Sequence, residues 1–219
     1  MVFEWVDGEN MTLFSSHIKN KKIKFEEEDF VRMMLIFLYE LQKLHEGGVL
    51  HRDIKLENLM FYFRNQNFYF LFVDFGISFL LNRNFDSQKC FVVKDRFKSP
   101  ETNTSQEDFK SDLFSLGVSF NFLLDSLRID VSSSLLELIS LMTIEDHEAR
   151  CSLSVCIKNV TLYSLEKNYK SEISSFLLSE ESSFFQPRIL SNQRLEELRM
   201  RIEETTAKKS EETNESNEN

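Results

Sequence analysis

Eight consecutive residues, His51-Arg52-Asp53-Ile54-Lys55-Leu56-Glu57-Asn58, pack a carboxylate, an ammonium and an amide into six positions, Asp53 to Asn58. Groups of these three kinds, at Asp53, Lys55 and Asn58, suit a site where a phosphoryl group moves. A carboxylate can orient an attacking hydroxyl, an ammonium can neutralise phosphate charge, and an amide oxygen is a hard donor that Mg²⁺ accepts. A second carboxylate, Asp74, follows 21 positions later at the end of an apolar, aromatic run, with Gly76 two residues on to let the chain turn. The plainer reading of the eight residues is a polar turn between a helix and a strand.

Elements able to position these groups are visible on both sides. Between Glu27 and His45, apolar residues recur at Phe30, Met33, Met34, Phe37, Leu41 and Leu44, which is the spacing of one helix face. Glu26, Glu27, Glu28 and Asp29 crowd its start, where the helix dipole favours negative charge, and Gly47-Gly48 end it. Leu59 to Phe63 and Phe68 to Val73 read as a β-hairpin around Arg64-Asn65-Gln66-Asn67. Leu113, Leu116, Phe120, Leu123 and Leu124 make the helix after Ser111 apolar nearly all round, as in a helix buried at the centre of a domain. Leu135 to Met142 reads as a further helix. The opening residues, Met1 to Phe14, read as a short apolar strand running through Asp7-Gly8 into a polar turn.

Composition narrows the function classes. With 219 residues the chain holds one ordinary domain plus a tail, and 42% hydrophobic residues, 22 of them Phe, support a core. Thirty-six acidic residues against 26 basic ones disfavour nucleic acid and anionic membrane as partners. The longest apolar runs fall short of the ~20 residues that cross a bilayer, and no signal peptide stands at the start. Cys90, Cys151 and Cys156 lack zinc or disulfide-framework spacing, which fits a reducing, cytoplasmic compartment.

In this order the motifs resemble the large, C-terminal lobe of eukaryotic-type Ser/Thr protein kinases: HRDIKLEN as catalytic loop, Asp74-Phe75-Gly76 as the DFG triplet, Ser99-Pro100-Glu101 as APE, Ser111-Asp112-Leu113-Phe114-Ser115-Leu116-Gly117 as SDxWSxG, and Asp146-His147-Glu148-Ala149-Arg150 as DPxxR. The resemblance implies a mainly α member of the α+β class, with a small hairpin and a central buried helix. It implies transfer of the γ-phosphoryl of ATP to a protein Ser or Thr hydroxyl with Mg²⁺, a regulatory protein being a further partner. Asp53 would orient the hydroxyl, Lys55 would neutralise the phosphate, and Asn58 and Asp74 would hold the metal. Glu4 and Val6 along the hinge, Asn10 near the ribose, Glu57, and Met60 beneath adenine would line the nucleotide site. His51, Arg52, Phe75, Gly76, Glu101, Asp112 and Arg150 would support it. Among these, Asp112 would accept from the catalytic-loop backbone, Arg150 would pair with Glu101, and Arg52 belongs to the type that pairs with a phosphorylated activation loop, with Ser87 as candidate acceptor.

Departures from the family pattern are as informative. Val93-Lys94 replace the Gly-Thr whose hydroxyl bonds the catalytic Asp and Lys, Phe97 replaces a Tyr, and His147 replaces a Pro. Only 38 positions separate Asp112 from Arg150, implying a shortened docking surface. No GxGxxG loop, VAIK lysine or partner Glu precedes the hinge. The expectation is a kinase truncated at the hinge, with a pseudokinase-like binding module as alternative. The expected organisation is hinge and C-terminal lobe over 1–160, an extension with short helices over 161–205, and a disordered acidic tail over 206–219.

Overall fold

A computed structural model describes residues 8–20, 25–64, 67–80 and 93–169. In chain order these form β1 (Glu9–Asn10), α1 (Met11–Asn20), α2 (Glu27–Glu46), β2 (Val49–Leu50), a 3₁₀ turn (Leu56–Asn58), β3 (Leu59–Arg64), β4 (Asn67–Phe72), β5 (Phe79–Leu80), α3 (Phe109–Leu127), α4 (Ser133–Met142) and α5 (Leu153–Glu166). The described part is mostly helical with a small sheet, as the resemblance implies. No helix of the described residues is long and apolar enough to cross a membrane.

Helix α2 forms where its periodicity indicates. Asp29 accepts from the Glu26 backbone N–H at 2.9 Å, satisfying a donor that the helix start leaves free. Gly48 ends the helix region at φ 76°, a backbone conformation that costs glycine little. The inward face, Phe30, Met33, Met34, Phe37, Leu38, Leu41 and Leu44, is fully buried. Phe37 sits at its middle, with ring centroids 5.2 Å from Phe70, 5.7 Å from Phe72 and 6.4 Å from Phe120. Removing such a side chain costs ~3–5 kcal/mol, most of it transfer plus cavity.

Helix α3 is the central one. Only Asn121 and Asp125 along its length are exposed. Its buried serines stay satisfied by donating back along the helix, Ser115 to the Ser111 carbonyl at 3.2 Å and Ser119 to the Ser115 carbonyl at 2.8 Å. Gly117 permits α4 to approach. A Cβ there would lie 2.8 Å from both Met142 Cβ and Thr143 Cγ2.

The β3–β4 hairpin pairs Leu59 with Phe72 through Arg64 with Asn67, and β1 adds antiparallel to β3, with Asn10 opposite Met60. The short β2 pairs with β5. These two pairings bracket the catalytic-loop segment, entering through β2 and leaving through β3.

One expectation needs correction. Where Met1 to Phe14 was expected to run through Asp7-Gly8 into a polar turn, a two-residue strand leads into helix α1, started by Asn10, whose Oδ1 accepts from Leu13 N at 2.9 Å. Met11 and Phe14 anchor that helix in the core. Helix α5 runs on through residue 160 to Glu166. Val160 and Tyr163 are buried there, Tyr163 hydroxyl donates to Glu27, and Tyr169 hydroxyl bonds the same carboxylate at 2.8 Å. The packed body therefore continues to the last described residue of this stretch, because the start of α2 needs α5 to cover it. The extension beyond 169 and the expected tail lie outside the described residues.

Candidate active site

The loop between β2 and β3 is held from below by one carboxylate. Asp112, 1% exposed near the start of α3, accepts from the backbone N–H groups of His51 at 2.7 Å and Arg52 at 2.8 Å, with His45 Nε2 at 3.1 Å. Burial acts to raise the Asp112 carboxyl, and the hydrogen bond and charge of His45 together with the loop contacts bring it below its ordinary range. The anchor compensates for backbone strain: Arg52 has φ 68°, in the left-handed region that disfavours side chains.

His51 is fully buried. Asp53 N donates to its Nδ1 at 3.2 Å, so the proton sits on Nε2 and is donated to the Val73 carbonyl at 3.1 Å. Burial holds this ring below the usual imidazole range and so neutral. The bond ties the catalytic loop to the strand end that carries Asp74. Phe75, half-buried, packs against the same ring with centroids 4.8 Å apart.

Asp53 stands at the centre of the polar cluster. Its Oδ2 accepts from Lys55 Nζ at 2.8 Å and Asn58 Nδ2 at 2.8 Å, and its carbonyl accepts from Asn58 Nδ2 at 2.8 Å. Its Oδ1 accepts from Lys98 Nζ at 2.5 Å. Burial would raise the Asp53 carboxyl, but hydrogen bonds from Lys55 and Lys98 and their charges hold it below the ordinary carboxylate range. The same pairing raises the Lys55 ammonium. Asp53 is thereby kept ionised and aimed.

Asn58 spends its amide N–H on Asp53, which leaves its side-chain oxygen as the donor it can offer a cation. Val73 N donates to the Asn58 backbone carbonyl at 3.0 Å, so Asn58 lies beside the strand that ends in Asp74. Asp74 is exposed, at φ 63°, with Oδ1 accepting from Gly76 N at 3.2 Å. No cluster of three or more His, Cys, Asp or Glu suited to a metal occurs among the described residues. One carboxylate and one amide oxygen nevertheless fit Mg²⁺, which keeps several waters and takes phosphate oxygens for the rest of its shell.

The structure brings Asp53, Lys55 and Asn58 into direct contact and sets Asp112, His51 and Phe75 beneath them. Arg150 is bidentate on Glu101, at 2.5 Å and 3.1 Å, and Ser111 Oγ adds a bond to the same carboxylate at 2.9 Å. Other expected residues lie outside this set of contacts. Asn10 commits its Oδ1 to starting α1. Met60 is half-buried on β3 opposite Leu71, and Glu57 is exposed on the 3₁₀ turn. Glu4, Val6 and Ser87 lie outside the described residues.

Two residues that bear on the site are not apparent in its motifs. Glu107 takes Arg52, with Nε to Oε1 at 2.9 Å and Nη2 to Oε2 at 3.1 Å, both side chains 1% exposed. A carboxylate thus occupies the guanidinium expected to await a phosphate. Lys98, 3% exposed at its side chain, donates to Arg52 O at 2.8 Å as well as to Asp53. It reaches the Asp53 carboxylate in a chain where Val93-Lys94 stand in place of the Gly-Thr expected from the resemblance. The loss of that Thr was the one sequence signal pointing to a substitute donor.

The protein kinase domain family model matches residues 1–129, more than half of the chain. The chain is 34% identical over 118 residues to the probable serine/threonine-protein kinase fnkE of Dictyostelium discoideum, covering 52% of this chain and 9% of that protein. It is 34% identical over 109 residues to the probable serine/threonine-protein kinase 2 of Plasmodium falciparum, covering 48% and 20%. It is 32% identical over 100 residues to calcium-dependent protein kinase 3 of Plasmodium yoelii yoelii, covering 43% and 19%. The matched stretches thus span a fifth or less of these relatives. A polar loop pinned by a buried aspartate could arise in many folds; with a family match over more than half its length, this chain belongs to the protein kinase family.

Proposed function

We propose that this chain forms the hinge and large lobe of a Ser/Thr protein kinase and supplies the acceptor and metal side of a site that passes the γ-phosphoryl of ATP to a protein Ser or Thr hydroxyl. The observation that carries this reading is the Asp53 carboxylate, held by Lys55 and Asn58 on a loop that Asp112 locks from below. Asp53, kept ionised, accepts the hydrogen bond of the incoming hydroxyl and orients its lone pair toward phosphorus, sharing its Oδ1 with Lys98. Lys55, half-buried beside it, faces the oxygens that gain charge in transfer. Asn58 and Asp74 would hold Mg²⁺, which would supply charge neutralisation for the phosphates. In kinases much of the rate comes from positioning, and a loop with its backbone donors and side chains already paired is positioned before substrate arrives.

The 219 residues hold no glycine-rich phosphate loop and no VAIK-type lysine. In this reading those groups come from a segment outside this sequence, and the chain alone binds nucleotide weakly. Each missing charge-stabilising group is commonly worth ~10²- to 10³-fold in rate.

Titration of the chain with a fluorescent ATP analogue, with and without Mg²⁺, tests the reading. Binding should require the metal and fall at least about tenfold in Asp74→Ala. Binding indifferent to both metal and substitution, or no binding at any metal concentration, would overturn it.

A further inference from the structure

On the far side of the activation-segment anchor, two thiols that the site does not use face each other. Cys151 Sγ and Cys156 Sγ are 2.9 Å apart. Cys151 follows Arg150 directly and is half-buried, whereas Cys156 is 3% exposed in the second turn of α5. Ser152 opens that helix, its Oγ accepting from Val155 N at 3.4 Å and its carbonyl from Cys156 N at 3.0 Å. Cys151 therefore stands just before a helix N-terminus, where backbone N–H groups and the helix dipole favour a thiolate. Two cations, Arg150 and Lys110, lie close enough to favour the same form, and the hydrogen bond from Cys156 is the strongest influence holding the Cys151 thiol below its ordinary range. Cys156 is pushed the opposite way, by its bond to Cys151 and by burial, and stays protonated. The pair is thus differentiated into an accessible nucleophile and a shielded partner.

We propose that Cys151 and Cys156 form a modification site that hydrogen peroxide converts to an intramolecular disulfide and that a thiol reductant restores. The Cys151 thiolate sulfur attacks one peroxide oxygen; the O–O bond breaks, and the departing hydroxide takes a proton to leave as water. Cys151 is then a sulfenic acid. Cys156 Sγ attacks that sulfur, the S–O bond breaks, and the hydroxyl leaves with the Cys156 proton as a second water. Two thiols lose two electrons and one peroxide gains them. Bonding withdraws Cys151 Sγ from the Leu141 carbonyl, to which it now donates at 3.1 Å, and fastens the residue next to Arg150 onto α5. The modification thus acts on the junction that holds Glu101 through Arg150. It is independent of the phosphoryl-transfer reading, and its test uses no kinase activity.

Free thiols counted on the full chain after brief treatment with one to two equivalents of peroxide per chain decide the matter. In Cys90→Ser, which removes the third cysteine, the count should fall from two to none. Peptide mass spectrometry should find residues 151 and 156 joined, and dithiothreitol should return both thiols. In the Cys90→Ser/Cys156→Ser variant, a 1,3-diketone probe should trap sulfenic acid at Cys151. In Cys90→Ser/Cys151→Ser, Cys156 should remain unlabelled. Retention of both thiols, linkage only between two chains, or labelling of Cys156 instead of Cys151 would overturn the proposal.

Discussion

Charge removal at Glu101 is the sharpest test of how this fold ties the Ser99-Pro100-Glu101 segment to Arg150 and the start of α3. Glu101 is 4% exposed and receives two bonds from Arg150, which is 1% exposed, and one from Ser111. Burial alone would raise the carboxyl. The Arg150 hydrogen bonds, a backbone contact and Ser111 reverse that and bring it from 4.5 to about 2. Each unit is worth ~1.4 kcal/mol, so ionised Glu101 contributes ~3 kcal/mol to folding. The folded value is depressed, so this stability is complete above the unfolded value and lost as pH falls through the folded one. At pH 3 only ~1.4 kcal/mol remains. Urea unfolding of Glu101→Gln should therefore show a loss of ~3 kcal/mol at pH 7 and about half that at pH 3. Arg150→Met should cost more, ~3–5 kcal/mol, since it leaves an uncompensated buried carboxylate. The double variant should be less damaged than Arg150→Met alone, because neither charge is then stranded. A loss under ~1 kcal/mol for Glu101→Gln at pH 7, an equal loss at both pH values, or additive single effects would refute the reasoning.

Asp112→Asn presents an amide to two backbone N–H groups that now share one carboxylate. It should cost ~3 kcal/mol and remove hydrogen-exchange protection at His51 and Arg52 while leaving that of α5 in place. Glu40, 3% exposed on α2, is raised by burial to about 7, with Lys43 at 3.0 Å offsetting only part of that penalty. A raised carboxyl holds its proton more tightly folded than unfolded, so stability should decline between pH ~4.5 and ~7 by up to ~3 kcal/mol. Glu40→Gln should flatten that decline in denaturation series at pH 5 and pH 8.

Much of the fold was legible because its signals are local. The spacing of apolar residues along α2 and α3, the Gly47-Gly48 stop and the aromatic runs of β3 and β4 each follow from the backbone period of the element, so a window of ten to twenty residues suffices to read them. Helices α1 and α5 escaped notice for a different reason. In Met11–Asn20 only Met11, Phe14 and Ile18 carry an apolar stripe, and it becomes an inward face only because the 3₁₀ turn and β3 lie against it. Tyr163 and Tyr169, placed in the extension expected over 161–205, are drawn in by Glu27, more than 130 positions earlier.

The site divides along the same line. Residue types and spacing set out Asp53, Lys55, Asn58 and Asp74 as candidates for phosphoryl transfer, and the resemblance to kinases implied Asp112 under the loop and Arg150 on Glu101, contacts that the structure contains. Only the tertiary structure decided which groups complete the polar network: Lys98 on the Asp53 carboxylate, Glu107 on Arg52, Asn10 spent on a helix start, and two cysteines five positions apart brought face to face. The physical reason is that a buried charge must find a partner wherever packing places one, and packing brings together residues whose separation along the chain carries no period to read.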